Sequence, residues 1–320
     1  MSMPLPVTRK LDFSEIPVVD IGPLGEADTK RIPAVAAEIA RACQDVGFMY
    51  VKNHGVSATV LRNLRREAEA FFSLPSTEKM KVAVEISPQY RGYLPLEYTG
   101  EEGEEGRNLQ EGFIMMPDRP VGTLPLHGPN QWPEKVPGLK PAMMAYFVEV
   151  EKLARLMLPG FTVGVGLPAD YFRDAFRDPE MMILKLNHYP PQKAMNDAYM
   201  LGVGGHTDFS AFTILWQDDL GGLEVLNKSG EWVAVPPIED TFVINIGDLM
   251  QVWTNGRFSS TEHRVINRYG KDRNSIAFFV DPVYPTKVEP LVDRSGSYEP
   301  VVSGDHIYAQ FRRIYPQRQR

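Results

Sequence analysis

Cysteine is nearly absent from the sequence, and so is any long apolar run. Cys43 is the only cysteine among 320 residues, which excludes an intramolecular disulfide and makes a reducing compartment, the cytoplasm, the expected location. No apolar run is long enough to cross a bilayer. The first residues, MSMPLPVTRKLDF, also lack the apolar segment of a secretory signal. We therefore expect neither secretion nor association with a membrane.

A surplus of basic residues is missing as well. Lys and Arg total 34 against 41 Asp and Glu, which gives a formal net charge of −7. Nucleic-acid-binding proteins usually carry a basic surplus, so a nucleic acid is not an expected partner. Hydrophobic residues make up 43% of the chain, which is enough to bury a sizeable core.

The N-terminal part of the sequence predicts helices around short strands. IPVVDI (residues 16–21) is typical of a short buried strand, and GFMYVKNHG (47–55) of a strand that ends in a turn. Apolar residues at helical spacing predict one helix before Gly47 and a second between Ser57, a suitable N-cap, and Pro75. The acidic run at 99–107 and the proline-rich stretch at 117–141 predict loops. A long helix should follow, and Pro159 should kink or end it.

Short strands dominate from residue 182 onward: MMILKLNHY, AFTILW, LEVLN, EWVAV, TFVINI, HRVIN and NSIAFFV. Their even spacing predicts an antiparallel sandwich or barrel, followed by a helix near residues 305–314. The expected fold class is mixed α/β (α+β), a double-stranded β-helix (jelly-roll) core with flanking helices. We expect a helical N-terminal domain (1–125), a connecting loop and long helix (126–177), and a jelly-roll domain with a C-terminal helix (178–320).

His206 and Asp208 form the motif HTD after a glycine-rich turn. On a strand, residues i and i+2 point to the same face, so an imidazole nitrogen and a carboxylate oxygen can reach one metal ion. This motif alone is a weak signal, but the segment TNGRFSSTEHRVIN supplies a further histidine, His263. Two histidines and one carboxylate leave coordination positions open for a chelating co-substrate and O2, which indicates a mononuclear non-haem Fe(II) oxygenase.

Two further strands carry polar residues on one face. Arg273, Ser275, Ala277 and Phe279 share a face by their period of two, as do Lys185, Asn187 and Tyr189 on an earlier strand. A buried arginine needs an anion, and a guanidinium beside a hydroxyl suits a carboxylate. Asn187 and Tyr189 are candidates to complete that carboxylate site or to position groups at the metal.

Taken together, these segments resemble the isopenicillin N synthase-like family, which includes the plant-type 2-oxoglutarate-dependent dioxygenases. The resemblance covers most of the chain. In the N-terminal half it rests on IPVVDIGPL, CQDVGFMYVKNHGV, FFSLPSTEKMK and QYRGYLPL. In the C-terminal half it rests on LNHYPP, HTDFSAFTILWQDDLGGLEV, INIGDLMQVWTNGRFSSTEHRV and RNSIAFFVDP. One departure is Lys185, where many members have arginine; we expect it to affect the substrate more than the iron.

The resemblance implies which residues carry the chemistry. The family's iron ligands match His206, Asp208 and His263, with no further catalytic residue expected beyond the metal site. Its R-x-S motif, which holds the far carboxylate of 2-oxoglutarate, matches Arg273 and Ser275, and its co-substrate contacts match Tyr189 and, less closely, Asn187. The implied reaction decarboxylates 2-oxoglutarate to succinate and CO2 and hydroxylates, desaturates or cyclises a small-molecule substrate. Fe(II), 2-oxoglutarate and O2 are the implied cofactors.

Candidate residues for a substrate pocket lie on one strand and in two other segments. Phe279 shares a face with Arg273 and is a candidate pocket wall, with ordinary barrel core as the alternative. Two segments are candidates for a lid: residues 90–98, which begin at Tyr90, and the C-terminal helix near Phe311.

Other conspicuous residues are interpreted as structural. We expect His54 in a turn, His188 on the face away from Asn187, and His127 exposed in a loop. We expect a turn at Asn245, Gly247 and Asp248, and core positions for Phe212 and Trp216.

Two alternative functions stay open. A 2-oxoglutarate-independent oxidase of the same family would use Arg273 for the substrate's own carboxylate or for another reductant. A metal- or ligand-binding jelly roll without catalysis is the less favoured alternative, because a complete site argues for catalysis.

Overall fold

The computed structural model describes residues 9–10, 16–26, 29–96, 109–191, 202–267, 270–291 and 298–315. Six α-helices occur there: α1 Ile32–Asp45, α2 Ala58–Phe72, α3 Ser76–Lys79, α4 Leu139–Gly164, α5 Asp248–Trp253 and α6 Ser303–Ile314. Among these residues, no helix has the length and apolarity needed to span a bilayer.

Two large sheets form the framework. One has eight strands in the order β2-β3-β11-β8-β13-β6-β5-β4. Their bounds are β2 Val18–Asp20, β3 Phe48–Lys52, β11 Phe242–Ile246, β8 Phe212–Gln217, β13 Arg273–Val280, β6 Ile183–Tyr189, β5 Glu111–Met115 and β4 Gly92–Leu94. The other has the order β1-β10-β9-β12-β7. Its strands are β1 Arg9–Lys10, β10 Trp232–Ala234, β9 Leu223–Leu226, β12 His263–Val265 and β7 Val203–His206. A short pair, β14 Lys287–Val288 and β15 Val301–Val302, lies beside α6.

The eight-stranded sheet buries both faces, one against helices and the other against the five-stranded sheet. On the helix side α4 contacts β13 through Phe147 and Phe278, whose ring centroids lie 5.0 Å apart, and β8 through Phe161 and Phe212 at 4.9 Å. Between the sheets lies a smaller apolar cluster formed by Phe48, Tyr50, Tyr189, Leu223, Val225, Val235, Val243 and Val265. The expected jelly-roll core with flanking helices is confirmed.

The N-terminal part does more than supply helices. Strands β2 to β5 all belong to the eight-stranded sheet, and β5 pairs directly with β6. Strands from both sides of the proposed boundary at residue 125 therefore share one sheet. The division into three segments stays a prediction.

Of the two outcomes expected at Pro159, a kink or the end of the long helix, the second does not occur. Pro159 lies inside α4, which continues to Gly164 instead of ending at the proline. A proline removes one helical hydrogen bond and crowds the preceding turn. The packing of α4 is sufficient to override that cost, because residues on both sides of the proline, including Met157 and Phe161, are buried. Cys43 is fully buried in α1, and its burial raises the pKa of the thiol.

The first turn of α6 sits directly on the ring of Tyr284. The Gly304 N–H donates to the Tyr284 carbonyl at 3.0 Å, and the Tyr284 hydroxyl donates to Asp305 at 2.9 Å. A Cβ added at Gly304 would lie 2.1 Å from Cγ of Tyr284. The glycine is therefore what allows the helix to approach so closely.

We expect Gly304→Ala to lower the free energy of unfolding by about 1–3 kcal/mol, because the Tyr284 ring or the helix must move. Alanine is otherwise favoured over glycine in a helix by about 1 kcal/mol. A loss of stability, instead of a gain, would therefore indicate the clash with Tyr284. Thermal unfolding measures the effect. Gly25→Ala is the matched control, since its Cβ would meet nothing closer than Leu156 Cδ1 at 3.6 Å. Equal stability of Gly304→Ala and the unmodified protein would contradict this account.

Candidate metal centre

Three side chains from the five-stranded sheet and the turn after it converge on one point. His206 ends β7, and its strand pairs with β12 so that His263 lies opposite it. Asp208 follows two residues after His206 and presents Oδ1 at 3.8 Å from His206 Nε2 and 3.7 Å from His263 Nε2. The ligand atoms all lie within 4.8 Å of one another. Atoms at these separations can bind a single cation.

Both imidazoles are held in the orientation that a metal ligand needs. Nδ1 of His206 lies 2.9 Å from the Gly204 carbonyl, and Nδ1 of His263 lies 3.1 Å from the Thr261 carbonyl. Each Nδ1–H therefore donates to the backbone and leaves Nε2 as a lone-pair donor. The His206 side chain is 40% exposed, toward the cavities described below. Desolvation and the nearby His263 lower the pKa of His206 to about 4, so its ring is neutral at pH 7.

Asp208 is oriented by two donors from the eight-stranded sheet. Its Oδ2 accepts hydrogen bonds from Thr213 Oγ1 at 2.5 Å and from Asn245 Nδ2 at 2.7 Å. Oδ1 is left facing the two imidazoles. Burial raises the pKa of Asp208, but His263, His206 and the two donors outweigh burial and lower it. The carboxylate is therefore ionised and points one oxygen at the candidate metal position.

The Asn245 contact corrects an expectation. Asn245 is not part of a turn but belongs to β11, where it is 3% exposed, and the helix α5 begins at Asp248. Neither Thr213 nor Asn245 was identified from the sequence. The period of two in AFTILW and TFVINI would have placed both on the face opposite Phe212 and Ile244, which is the face toward His206.

A cavity of about 90 Å³ adjoins the three ligand atoms, and all four residues predicted to bind the co-substrate line it: Arg273, Ser275, Tyr189 and Asn187. Arg273 is 1% exposed, and its guanidinium lies 4.7 Å from the Tyr189 ring centroid. Its Nε donates to the Gly221 carbonyl and its Nη2 to Gln217 at 3.4 Å. Its Nη1 has no hydrogen-bond partner among the described residues. A buried guanidinium with an unused N–H in a cavity wall fits a carboxylate ligand.

A second cavity, of about 200 Å³, continues from the first toward α6. The two share His206, Asp208, Lys185, Gln110 and Phe279 in their walls. Phe279 and Phe311 both line it, as their candidate roles require. Tyr90 does not line it; its ring packs behind Phe311 at 5.3 Å and Tyr315 at 5.8 Å. Of the candidate lid at 90–98, residues 97 and 98 lie outside the described residues.

Lys185 occupies the boundary between the two cavities. It is half-buried on β6, and burial lowers the pKa of its ammonium to about 8, an effect that the Asp208 carboxylate partly offsets.

His188, which follows three residues after Lys185 on β6, faces away from the cavities as expected. Its Nδ1 lies 2.8 Å from Glu111 and its Nε2 2.8 Å from Asp272.

The expected exposure of His127 was wrong. His127 is 5% exposed, and its Nδ1 lies 2.7 Å from the Thr123 hydroxyl. The loop that contains His127 is held by the buried guanidinium of Arg91, which donates hydrogen bonds to the carbonyls of Leu126, Met116 and Pro117.

His54 accepts a hydrogen bond from the Val56 N–H at 3.1 Å, as expected of a turn residue.

Family profiles match both parts of the chain. The profile described as non-haem dioxygenase in morphine synthesis N-terminal matches residues 16–135, and that of the 2OG-Fe(II) oxygenase superfamily matches residues 180–282. A homoarginine-6-hydroxylase of Glycine max is 33% identical over 327 residues, covering 92% of this chain and 96% of the relative. A 2-oxoglutarate-dependent dioxygenase of Aspergillus niger is 35% identical over 311 residues, covering 94% of each chain.

The fold has a close match among solved structures. A full-length Neurospora crassa protein in complex with α-ketoglutarate superimposes with a TM-score of 0.81 at 28% identity, covering 92% of this chain and 95% of that chain. A further structure of the same protein holds thymine as well. Structural relatives of this chain therefore bind small-molecule ligands.

Thr213→Val should weaken binding of Fe(II) by about 10-fold or more, because it removes one of the two donors that orient Asp208 and changes little else in shape. Isothermal titration with Fe(II) under anaerobic conditions measures the affinity. Thr162→Val is the matched control: Thr162 is fully buried in α4, and its hydroxyl donates to backbone carbonyls far along the chain from the site. Equal metal affinities for the two variants would show that the Thr213 hydroxyl does not support the ligand.

Proposed function

Because the chain belongs to the plant-type family of 2-oxoglutarate- and Fe(II)-dependent dioxygenases, we propose that His206, Asp208 and His263 bind its iron and that Arg273 and Ser275 bind its 2-oxoglutarate. The enzyme couples oxidative decarboxylation of 2-oxoglutarate to succinate and CO2 with hydroxylation of a small-molecule substrate. The observation that carries the residue assignment is the convergence of three ligand atoms within 4.8 Å beside a buried arginine with an unpartnered N–H.

The ligand set fits Fe(II). Two imidazoles and one carboxylate would hold the ion and would leave positions for the keto-acid end of 2-oxoglutarate and for O2, and iron would supply the redox chemistry. The protein orients the ligand side chains. The backbone carbonyls of Gly204 and Thr261 fix the two imidazole rings, and the side chains of Thr213 and Asn245 fix the Asp208 carboxylate.

The co-substrate site follows from the position of Arg273. Arg273 lines the cavity, its buried Nη1 has no hydrogen-bond partner among the described residues, and Ser275 lies on the same strand face two residues away. A carboxylate there gains charge-assisted hydrogen bonds that no water-exposed site would match. Asn187 donates to the Ser275 hydroxyl at 3.4 Å and thereby positions it. Tyr189 supports the guanidinium from its ring face.

The second cavity is the proposed substrate site. Phe279 and Phe311 supply aromatic walls next to the candidate iron position, and Tyr90 supports Phe311 from behind. The volume of about 200 Å³ suits a small molecule. Relatives act on homoarginine or hold thymine. Hydroxylation is the proposed outcome; desaturation or ring closure needs only a different fate for the substrate radical.

The rival within the family is an oxidase that does not consume 2-oxoglutarate. In that enzyme Arg273 would bind the substrate's own carboxylate. Succinate formed in step with product favours the dioxygenase, and product formed without succinate favours the oxidase.

Asp208→Ala should abolish high-affinity Fe(II) binding and 2-oxoglutarate turnover while the fold is retained, because the only anionic ligand is lost. Metal titration and succinate release measure the two effects, and circular dichroism checks the fold. Asp20→Ala is the control, since Asp20 lies at the edge strand β2 and bonds to Asn53 at 2.9 Å, outside both cavities. Near-normal iron affinity in Asp208→Ala would mean that the metal site lies elsewhere.

Arg273→Ala should weaken 2-oxoglutarate binding by about 2–5 kcal/mol, since a buried carboxylate loses its charged partner. The anaerobic visible absorption of the Fe(II) and 2-oxoglutarate complex gives the affinity. Arg65→Ala is the control, because Arg65 lies outside the cavity, over the Trp216 ring. If 2-oxoglutarate affinity stayed unchanged while a substrate bound more weakly, Arg273 would serve the substrate and the oxidase would be favoured.

A further inference from the structure

Lys185 lies in the row of polar residues that lines the cavities, but beyond the proposed co-substrate site. On β6 it pairs with Ala277 of β13, whereas Asn187 pairs with Ser275 and Tyr189 with Arg273. At about 3.3 Å per residue, Lys185 is displaced along the strand by about 7 Å from Asn187 and about 13 Å from Tyr189. The next pair on the same face in this direction is Ile183 with Phe279, and both residues line the second cavity.

Buried cations elsewhere in the described structure have acceptors close by. Lys79 lies 2.5 Å from Glu111, Arg264 lies 2.7 Å from Glu224, and Arg91 donates to backbone carbonyls. Lys185 has neither a hydrogen bond nor a salt bridge with any residue in the described ranges. Asp208 attracts it electrostatically, but both Asp208 oxygens are engaged, one with Thr213 and Asn245 and the other opposite the imidazoles.

The neighbouring strand leaves room for the stem of this lysine. A Cβ added at Gly112 would lie 3.2 Å from Lys185 Cε and 3.1 Å from the Leu186 carbonyl. Ile114 and Ala277 pair with Lys185 on its two sides. Its methylene groups thus have apolar or small neighbours, and Lys185 lines both cavities. A half-buried ammonium in such surroundings favours an anion as its partner.

Besides Lys185 and the candidate metal ligands, the polar or charged residues in the wall of the second cavity include Gln110, Thr207 and Arg313. Most of the remaining wall is apolar and is formed by Ile114, Ile183, Phe279, Phe311 and Ile314. A ligand that satisfies both parts of this wall has an apolar body and one anionic group. A carboxylate is the group that an ammonium binds with a short charge-assisted hydrogen bond.

We propose that Lys185 is a specificity-determining residue that binds the carboxylate of the prime substrate, so that the substrates of this enzyme are small organic acids with an apolar body. The proposal rests on the proposed function, because it concerns the same active site. It separates Lys185 from the co-substrate: the far carboxylate of 2-oxoglutarate is assigned to Arg273, at the other end of the row, and its keto-acid end to the iron.

The test measures charge preference in the loaded enzyme. Protein with Fe(II) and saturating 2-oxoglutarate is titrated anaerobically with phenylacetate, phenylpropanoate and phenylbutanoate, and with the primary amide of each. We expect at least one acid to bind about 10-fold or more tightly than its amide, the value of a charge-assisted hydrogen bond. Lys185→Met should abolish this preference by weakening the acid and not the amide. Lys185→Arg should keep it.

Two controls separate binding from folding. Lys52→Met removes an exposed lysine from the end of β3 and should leave the preference unchanged. Lys185→Met should unfold at a temperature no lower than the unmodified protein, because it replaces a half-buried cation that lacks a protein partner. A clear loss of thermal stability would instead assign Lys185 a structural role and overturn the proposal.

The remaining outcomes are also decisive. The proposal fails if no acid of the panel is preferred over its amide, or if Lys185→Met keeps the preference. It also fails if Lys185→Met weakens 2-oxoglutarate itself, since the lysine would then belong to the co-substrate site. Failure of the proposed function looks different: the unmodified protein would not bind 2-oxoglutarate in an Fe(II)-dependent manner, which the first step of every titration reports.

Discussion

The antiparallel pairing of β6 with β13 is the constraint on which the site depends. Its register sets Tyr189 opposite Arg273, Asn187 opposite Ser275 and Lys185 opposite Ala277. Side chains alternate along a strand, so a slip by one residue would turn these groups toward α4 and bring apolar residues such as Leu186 and Phe278 into the cavities. Because both faces are buried, only one register is compatible with the fold, and that register assembles the cavity wall.

Asp208 connects this wall to the other sheet. Its Oδ2 accepts hydrogen bonds from Thr213 and Asn245 on the eight-stranded sheet. Its Oδ1 faces the two histidines, which lie on β7 and β12 of the five-stranded sheet. The candidate ligand set is therefore not the property of one sheet. Its geometry depends on how the two sheets pack, through the apolar cluster that includes Phe48, whose ring meets His263 edge-on with centroids 5.4 Å apart.

Sequence periodicity predicted what depends on a single strand or helix. The shared face of Arg273 and Ser275, the helical stripes and the spacing of His206 and Asp208 are local properties, and the structure agrees with them. Contacts that join distant segments could not be read in the same way. The donor Asn245 was interpreted as a turn residue because NIGD has turn composition, and His127 was expected to be exposed because nothing local showed that Arg91 gathers its loop. Pro159 shows the same limit, since tertiary packing there overrides a local preference.

The order of residues along β6 and β13 also sets the order of the proposed co-substrate and substrate sites. Arg273 and Ser275 line the first cavity and not the second, whereas His206, Asp208, Lys185 and Phe279 line both. The far side of the second cavity is formed by α6 through Phe311. The position of α6 depends on the close approach of Gly304 to Tyr284, two segments that follow β13 in the chain. The register of β13 thus positions Phe279 in the wall of the proposed substrate site. The chain that follows β13 forms α6, which adds Phe311 to the same cavity.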